Sequence, residues 1–433
     1  MATKQNETWG KITDEEFQRV AQRIGVWRVS DDAHWRDATR DAFRHFSLGS
    51  GDPNPLYTSD EYAAKTRWGV IAHPMFACTY ARSQGFRGAP TGGFPGVHSI
   101  ACSEADYYYR PIRVGDRLQL KNSLWDMRIV PSKTAGKMVD MIRQCSLVDL
   151  DRGEVVARWY ALVKRWERKA ARERRVEQID EMGDRGYKGW QRWVFTDEEI
   201  KIIRNDYEKM ERRGATTRYW EDVQLGEELP YIIIGPYTAR ELVAFYMGAG
   251  AGFIMASSVL WNYFREHPGL NVPDPATNTP DVPERTHFEA EHAKFAGAPD
   301  MFDVWLQRLS WQASMVSNWM GDEALLRELS CVTWKFNMYG DVTWINGQVV
   351  EKYQKGKENL VKISLVLDNQ RYRHAWGHAV VSLPSRERGP VVVPQLPHDP
   401  SNEPYAPLSE EVREILMAKD PGLPFGSHFN RQG

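Results

Sequence analysis

The stretch Phe46-Ser47-Leu48-Gly49-Ser50-Gly51-Asp52-Pro53-Asn54-Pro55-Leu56-Tyr57 contains a Gly-Asp-Pro-Asn-Pro turn at the end of a helix-like segment. Each proline fixes its own φ angle and pushes the residue before it toward an extended conformation, while Gly51 and Asn54 tolerate positive φ. We therefore predict a rigid, non-helical loop that holds the Asp52 carboxylate where it can face a ligand. From local chemistry alone, a turn that merely joins two elements is the simpler interpretation.

Length and composition describe an ordinary globular protein of several domains. The chain has 433 residues, 42% hydrophobic and 26% charged, with a net charge of −2. This balance argues against a nucleic-acid-binding surface, and no stretch approaches the roughly 20 apolar residues of a membrane span. The first ten residues lack the apolar core of a secretory signal, so we expect a cytoplasmic protein. The four cysteines form no CxxC pair, which predicts free thiols and no metal site.

The first part of the chain reads as helices followed by strands. A capping box at Thr13 begins a short helix, and apolar spacing predicts a second helix, Ala38–Leu48, that runs up to the Gly-Asp turn. Few charges between Val70 and Gln84 predict a long buried helix. Alternating patterns then predict five strands, Val97–Cys102, Asp106–Tyr109, Arg117–Arg128, Lys137–Asp149 and Glu154–Arg165. One buried helix packed against an antiparallel sheet is an α+β architecture.

The second part of the chain repeats this order of elements. A capped helix runs from Thr238 to Gly248-Ala249-Gly250, and the segment that starts at His287 aligns with the segment that starts at Tyr57. A buried helix is predicted at Trp305–Trp319, and strands at Val342–Lys352, Leu360–Leu367 and His374–Leu383. We infer an internal duplication. The second copy lacks the Gly-Asp-x-Asn-Pro turn, and an insertion rich in Gly, Pro and Asn, about 269–284, stands in that region.

The turn resembles the signature of the MaoC-like R-specific enoyl-CoA hydratases, which are hotdog-fold proteins. The residues that fit this signature are Phe46, Gly49, Ser50, Gly51, Asp52, Asn54, Pro55, Leu56 and Ala63. Further words, including Gly235-Pro236-Tyr237-Thr238 and Asn318-Trp319-Met320-Gly321-Asp322, resemble the second half of the double-hotdog acyl dehydratases that have a distinct N-terminal dehydratase domain.

This resemblance implies a tandem hotdog in five parts, with an acyl-CoA site between the two hotdogs. The parts are an N-terminal helical arm (1–30), an N-terminal hotdog (31–166), a helical linker (167–217), a degenerate C-terminal hotdog (218–387) and a Pro-rich tail (388–433). We expect a homo-oligomer, a dimer of double hotdogs, that binds an acyl-CoA and needs no cofactor or metal.

The candidate catalytic residues are Asp52, Asn54 and Tyr57. By resemblance, Asp52 matches the catalytic aspartate of the family and Asn54 its supporting asparagine, but Tyr57 stands where the family has its catalytic histidine. A phenol is neutral at pH 7 and accepts a proton poorly. Asp52 would therefore be the base, with Tyr57 positioning a water molecule or donating a proton.

Three histidines could replace the missing one: His73 in Ala72-His73-Pro74, His98 at a strand start, and His287 at the position equivalent to Tyr57. A structural role is the alternative for each. We assign these three residues, with Gly69 and Pro74, to substrate binding. Backbone N–H groups at the start of the Val70–Gln84 helix are candidates for stabilising an enolate oxygen.

The predicted activity is the reversible syn hydration of a 2-enoyl-CoA to a 3-hydroxyacyl-CoA. The many aromatic residues of the second half suggest a bulky or aromatic acyl group. Two alternatives stay open at this point: an acyl-CoA-binding protein that needs a partner chain for activity, and an acyl-CoA thioesterase.

Overall fold

One antiparallel sheet of ten strands runs through the whole molecule. The computed structural model describes residues 10–30, 33–81, 92–94, 96–132, 136–167, 187, 190–253, 255–274 and 276–429. The strands lie in the order β1-β3-β4-β5-β2-β7-β10-β9-β8-β6. Their bounds are β1 Arg28–Ser30, β2 His98–Tyr108, β3 Leu118–Ser132, β4 Gly136–Asp149, β5 Glu154–Trp166, β6 Ile232–Ile234, β7 Leu325–Thr333, β8 Thr343–Lys355, β9 Glu358–Asn369 and β10 Arg373–Ser382.

The sheet consists of two equivalent halves. Reading from either edge, a short strand is followed by three long strands and then by the strand that meets the other half. The halves join through β2 and β7, which pair from Ser103–Val332 to Tyr107–Glu328. The Gly-Asp turns before β3 and β8 also correspond, because Asp116 accepts the Arg113 N–H (2.8 Å) as Asp341 accepts the Met338 N–H (2.7 Å). This symmetry agrees with the predicted duplication.

Helices cover the sheet. The α-helices are Asp14–Ala21, Arg40–Ser50, Pro55–Thr58, Asp60–Ala63, Asp197–Glu208, Ala239–Ala249, Ser257–Glu266, Ala290–Ala296, Trp305–Met320 and Glu410–Leu416. In the described part of the chain, 3-10 helices accompany them at Pro74–Ala81, Trp220–Asp222, Pro268–Leu270, Pro283–His287 and Pro400–Asn402. In the part of the chain that the structure describes, we find no helix with the length and apolar character needed to cross a membrane.

Two equivalent helices, Arg40–Ser50 and Ala239–Ala249, cross at a pair of glycines. A Cβ atom on Gly49 would lie 2.5 Å from the Ala244 carbonyl oxygen, and one on Gly248 would lie 2.6 Å from that of His45. No other residue fits this approach, because real Cβ atoms do not come so close to a carbonyl oxygen. The crossing places the end of the first helix, and the turn after it, at the junction of the two halves.

The buried helices predicted for the two halves differ in the structure, because one is an α-helix and the other a 3-10 helix. The Trp305–Met320 helix, called here the central helix, agrees with the predicted Trp305–Trp319. The prediction of a long helix over Val70–Gln84 is wrong, since the described part of this segment contains only the 3-10 helix Pro74–Ala81. The residues before it are extended: Ile71 bridges to Arg113, and the Ala72 N–H donates to the Ile112 carbonyl (2.9 Å). Pro74 explains this start, because it pushes His73 out of helical conformation. Residues 82–84 lie outside the described residues.

The remaining corrections concern strands. The two strands predicted at Val97–Cys102 and Asp106–Tyr109 are one strand, β2, with a bulge between Ala101 and Ser103. Ser103 and Glu104, the polar residues just after the first of these predicted strands, are buried where the halves join. Strand β1 lies within the predicted arm, 1–30, yet it pairs with β3 and belongs to the first hotdog. Strands β6 and β7 were not predicted.

The linker and the tail both pack onto the hotdogs. In the linker, Asp206 accepts hydrogen bonds from the Trp344 indole (2.8 Å) and the Tyr231 hydroxyl (3.0 Å). In the tail, Val412 and Leu416 of the Glu410–Leu416 helix join a buried cluster with Leu162 of β5. The described parts of both segments therefore belong to the folded body.

Candidate active site

The Gly-Asp loop is fixed by its own hydrogen bonds. The Arg40–Ser50 helix ends at Gly51, whose φ of 82° is left-handed, and the Asp52 N–H donates to the Ser47 carbonyl at 2.8 Å. The Asp52 carboxylate then accepts the Asn54 N–H (2.9 Å), and the Asn54 side chain accepts the Leu56 N–H (3.0 Å). Asn54 thus caps the short helix that carries Tyr57. Its side-chain oxygen is used to hold the loop.

The loop brings Asp52 beside His73. The two side chains are almost fully buried, and Nε2 of His73 lies 3.6 Å from Oδ2 of Asp52. This separation is too long for a direct hydrogen bond. Oδ2 of Asp52 has no hydrogen bond of standard geometry among the described residues, although the nearby Ser314 hydroxyl acts to lower the pKa of the carboxyl. A carboxylate oxygen next to an imidazole is an arrangement that one water molecule can join.

The hydrogen bonds of His73 define which ring nitrogen carries the proton. Nδ1 accepts the Met75 N–H at 3.1 Å, so the neutral ring is protonated at Nε2. Nε2 lies 3.3 Å from Oγ of Ser314, whose hydroxyl donates to the Ser310 carbonyl (3.0 Å) and can therefore accept from the ring. Burial lowers the pKa of His73 to about 3, which keeps the ring neutral. His73 is a hydrogen-bond donor at this site.

The Asp52 carboxyl has the opposite shift. Burial, partly offset by the Asn54 N–H, raises the pKa of Asp52 above its usual range. A raised pKa makes the carboxylate a stronger base once it is ionised. The loop thus holds a strengthened base next to a neutral imidazole.

Tyr57 contacts the second half of the molecule. Its hydroxyl lies 3.1 Å from Oγ of Ser317 on the central helix, and its ring packs edge-on against His73, with 5.3 Å between ring centroids. Burial and the nearby Asp52 charge raise the pKa of Tyr57, so the phenol stays protonated. Tyr57 therefore forms a wall of the site and supplies a neutral hydroxyl.

We expect Tyr57→Phe to have a small effect. The change removes one neutral hydrogen bond, and we expect it to cost about 1 kcal/mol of unfolding free energy and to change kcat less than about tenfold. Chemical denaturation and steady-state kinetics measure both quantities. A much larger loss of kcat with a normal free energy of unfolding would show that the hydroxyl takes part in the reaction.

Two serines of the central helix belong to the site and were missed in the sequence. Ser314 and Ser317 are buried and reach His73 and Tyr57 from the other half of the chain. Their spacing of three residues places them on one face of the helix. Polar residues at this spacing inside a helix buried nearly all round were the signal that could have revealed them.

The start of the 3-10 helix offers no free donor in its first three residues. Pro74 has no N–H, the Met75 N–H is bound to His73 Nδ1, and the Phe76 N–H donates to the His73 carbonyl at 2.8 Å. The expectation that these groups stabilise an enolate oxygen is therefore wrong. The protonated nitrogen beside the Asp52 carboxylate is Nε2 of His73.

The other predicted substrate-binding residues lie elsewhere. The His98 ring packs on Trp166 of β5 at 4.7 Å, and Nδ1 of His287 lies 2.8 Å from the Phe302 carbonyl oxygen. Both histidines line a cavity of about 1390 Å³ whose lining contains none of the residues around Asp52. Gly69 adopts a φ of 67° in the turn before the Ile71 bridge. Of this group, His73 is the residue that the described structure places beside Asp52.

The second half has no equivalent Asp-His pair. The glycine crossing aligns Gly51 with Gly250 and hence Asp52 with Ala251. The bridges Ile71–Arg113 and Phe302–Met338 align His73 with Val304. The described part of the second half therefore has no counterpart of the Asp52–His73 pair, in agreement with the broken motif in the sequence.

The ionisation of Asp52 also affects stability. Because its folded-state pKa is raised, Asp52 contributes stability below the unfolded pKa of about 4 that is lost as pH rises through the folded value. We expect Asp52→Asn to gain melting temperature relative to the wild type, and to gain more at pH 8 than at pH 4. Calorimetry at both pH values measures this difference. An equal difference at the two pH values would contradict the raised pKa.

Comparison with known proteins shows what this chain resembles. Residues 28–159 match the model of the FAS1-like dehydratase domain region. The matched range includes Asp52, Tyr57 and His73, as well as strands β1 to β4. The predicted resemblance to MaoC-like dehydratases and the predicted double-hotdog fold are confirmed.

Individual relatives resemble different lengths of the chain. A solved MaoC-like dehydratase superposes on 84% of this chain and 99% of its own, with a TM-score of 0.56 and 17% identity. A MaoC domain dehydratase of Chloroflexus aurantiacus superposes on 84% of this chain and 96% of its own, with a TM-score of 0.51 and 12% identity. A UPF0336 protein of Streptomyces avermitilis is 33% identical over 88 residues, which are 20% of this chain. The chain spans 59% of the length of that curated relative.

Proposed function

We propose that this protein is a hydro-lyase that hydrates a 2-enoyl-CoA to a 3-hydroxyacyl-CoA and catalyses the reverse dehydration. One observation carries the proposal: Oδ2 of Asp52 lies 3.6 Å from Nε2 of a neutral, buried His73. The match of residues 28–159 to a dehydratase domain supports the same class of reaction.

Asp52 can perform both proton transfers. In the hydration direction, the Asp52 carboxylate takes a proton from water while the oxygen of that water bonds to the β-carbon. The electrons of the double bond shift toward the thioester carbonyl, and the protonated Asp52 then delivers its proton to the α-carbon. Because one carboxyl group acts on one face of the substrate, hydroxyl and hydrogen add syn.

His73 has a positioning and donating role in this scheme. Its Nε2–H can hold the oxygen of the water or the substrate, and it need not become protonated, which its low pKa disfavours. Tyr57 forms a wall of the site beside His73. The histidine that the family has at the position of Tyr57 is thus replaced by His73, from another segment of the chain. No cofactor is required, because the reaction moves only the elements of water.

For the acyl group we propose a bulky or aromatic chain, an expectation that comes from the aromatic-rich composition of the second half. We extend the proposal to a panel of enoyl-CoA thioesters with short, long and aryl chains, and expect the larger ones to give the higher kcat/KM.

A direct assay tests the proposed reaction. Purified protein is mixed with each enoyl-CoA, and loss of the ultraviolet absorbance of the conjugated thioester is followed while a thiol reagent reports free CoA. We expect absorbance loss without thiol release. Release of CoA in step with substrate loss would instead establish a thioesterase.

A second candidate function is non-catalytic binding of acyl-CoA. The lack of a free backbone donor at Pro74, Met75 and Phe76 favours it, since the enolate oxygen then has fewer stabilising groups. In this case CoA thioesters bind in calorimetry but none is consumed. The panel assay separates the two functions.

A further inference from the structure

The cavity of about 1390 Å³ occupies the position of the site that the second half has lost. Val304, which aligns with His73, lines it together with His287, which the sequence aligns with Tyr57. The wall opposite Val304 comes from β2, β4 and β5 of the first half. Residues beside the position of the lost pair therefore line an open cavity.

Ten aromatic side chains contribute to the lining. Ligand cavities in proteins usually measure about 300–1,000 Å³, so this space exceeds what one small metabolite needs. Flat rings on several walls favour a flat ligand, because aromatic pairs prefer offset-stacked or edge-to-face contacts. The aromatic lining residues are Phe94, Trp166, Tyr187, Phe253, Tyr263, Phe302, Trp305, Trp334, Phe336 and Trp376.

One buried cation in the lining is incompletely satisfied. The Arg143 side chain is 10% exposed, and its Nε has no hydrogen-bond partner among the described residues. Its nearest acid, Glu104, lies 4.0 Å away and accepts the Trp305 indole N–H at 3.3 Å. Arg143 lines the cavity, and its guanidinium is a charged donor that a ligand carboxylate can bind.

The other charged groups of the lining leave a positive balance. Asp140 pairs with Lys164 (2.6 Å), and Asp303 pairs with Arg308 (2.7 Å). The Lys335 ammonium lies over the Tyr372 ring, 4.7 Å from its centroid. Three further acids, Glu266, Glu284 and Asp420, line the cavity, yet the lining contains more Arg and Lys residues than Asp and Glu residues.

We propose that this cavity is a second, non-catalytic site that binds a flat aromatic or polycyclic carboxylic acid. The ring system packs against the aromatic walls, and the carboxylate binds the guanidinium of Arg143. The site is independent of Asp52, so it requires no hydration activity. It gives the chain one reacting site and one binding site at equivalent positions of its two halves.

Pyrene-1-butyrate, a fluorescent planar acid, is a suitable probe, and pyrene-1-butanol is its uncharged control. We expect saturable binding of both to the full-length protein, with the acid bound about tenfold more tightly, which corresponds to one charge-assisted hydrogen bond. Arg143→Met is expected to abolish the preference and to keep the binding of the alcohol. Asp52→Asn is expected to change neither affinity.

Two variants that fill the cavity from different strands test its location. Ala101→Trp on β2 and Met138→Trp on β4 are each expected to weaken both probes at least tenfold, with melting temperatures confirming that they fold. Should one fail to fold, the other decides. Absence of saturable binding, equal affinity for acid and alcohol, unchanged binding in the folded filling variants, or loss of binding in Asp52→Asn would each overturn the proposal.

Discussion

Replacement of Asp52 by asparagine is expected to lower kcat for enoyl-CoA hydration by about 10²–10⁴-fold, the usual contribution of general acid-base catalysis. Asparagine keeps the size of the side chain and can still accept the Asn54 N–H, which holds the loop. It cannot take a proton from water. Steady-state kinetics on the best substrate of the panel measures the loss, and the melting temperature shows that the fold is intact.

Asp60→Asn is the matched control for this experiment. Asp60 is an exposed carboxylate on the next short helix, where it pairs with Arg40. The same chemical change there should leave kcat within about twofold of the wild type, because surface ion pairs contribute little. Full turnover by Asp52→Asn would remove Asp52 from the reaction.

The pH profile gives a second view of the same group. The reaction needs the ionised carboxylate, and burial raises the pKa of Asp52. We therefore expect kcat to rise with pH along an acid limb that lies above the usual range of an aspartate. A histidine acting as the base would instead need the His73 ring to titrate, and its pKa lies near 3.

Replacement of Asp303 by alanine is expected to lower the free energy of unfolding by about 3–5 kcal/mol, the usual cost of breaking a buried ion pair. Asp303 binds both Nε (2.8 Å) and Nη2 (2.7 Å) of Arg308, and both residues are almost fully buried. Arg308 also donates to the carbonyl oxygens of Lys335 and His374. The alanine variant leaves this guanidinium charged and buried without a counter-ion.

The exposed pair of Arg386 and Asp222 provides the comparison. Its two side chains are 53% and 49% exposed, although their bidentate hydrogen bonds of 2.6 and 2.7 Å resemble those of the buried pair. We expect Asp222→Ala to cost at most about 1 kcal/mol. Denaturant titrations of both variants measure the two losses. Similar losses would show that burial does not set the strength of the Asp303 pair.

Local chemistry predicted the Gly-Asp loop well. Gly51 adopts positive φ, Asn54 caps the following helix, and Asp52 is held by the backbone, all of which follow from the residue types in the turn. The duplication was also readable, because the order of helices and Gly-Asp turns repeats. These features depend on neighbours in the sequence.

The partner of Asp52 could not be chosen from the sequence. The sequence left His73, His98 and His287 open as candidates, and the fold separates the first from the other two. The contacts of His73 and Tyr57 with Ser314 and Ser317 join residues 241 and 260 positions apart. Such contacts depend on how the two halves meet, which no local pattern encodes.

The apolar pattern also failed to predict where the helix of the first half, Pro74–Ala81, begins. Apolar spacing from Val70 onward fitted a helix, but the strand-like pairing of Ile71 with Arg113 and the proline at 74 prevented it from starting before Pro74. Tertiary pairing overrode the local preference. In β2, a bulge and a buried polar pair concealed one continuous strand.

The pairing of β2 with β7 makes two halves of one sheet inseparable. In a dimer of identical chains, each substitution appears at both equivalent positions and the halves separate on dilution. In this chain, each substitution appears once. The position equivalent to Asp52 can therefore be occupied by Ala251 without any change in the first site. The groups of the active site also stay together at any concentration. Specific activity per chain should therefore be constant on dilution wherever the site is complete within one chain.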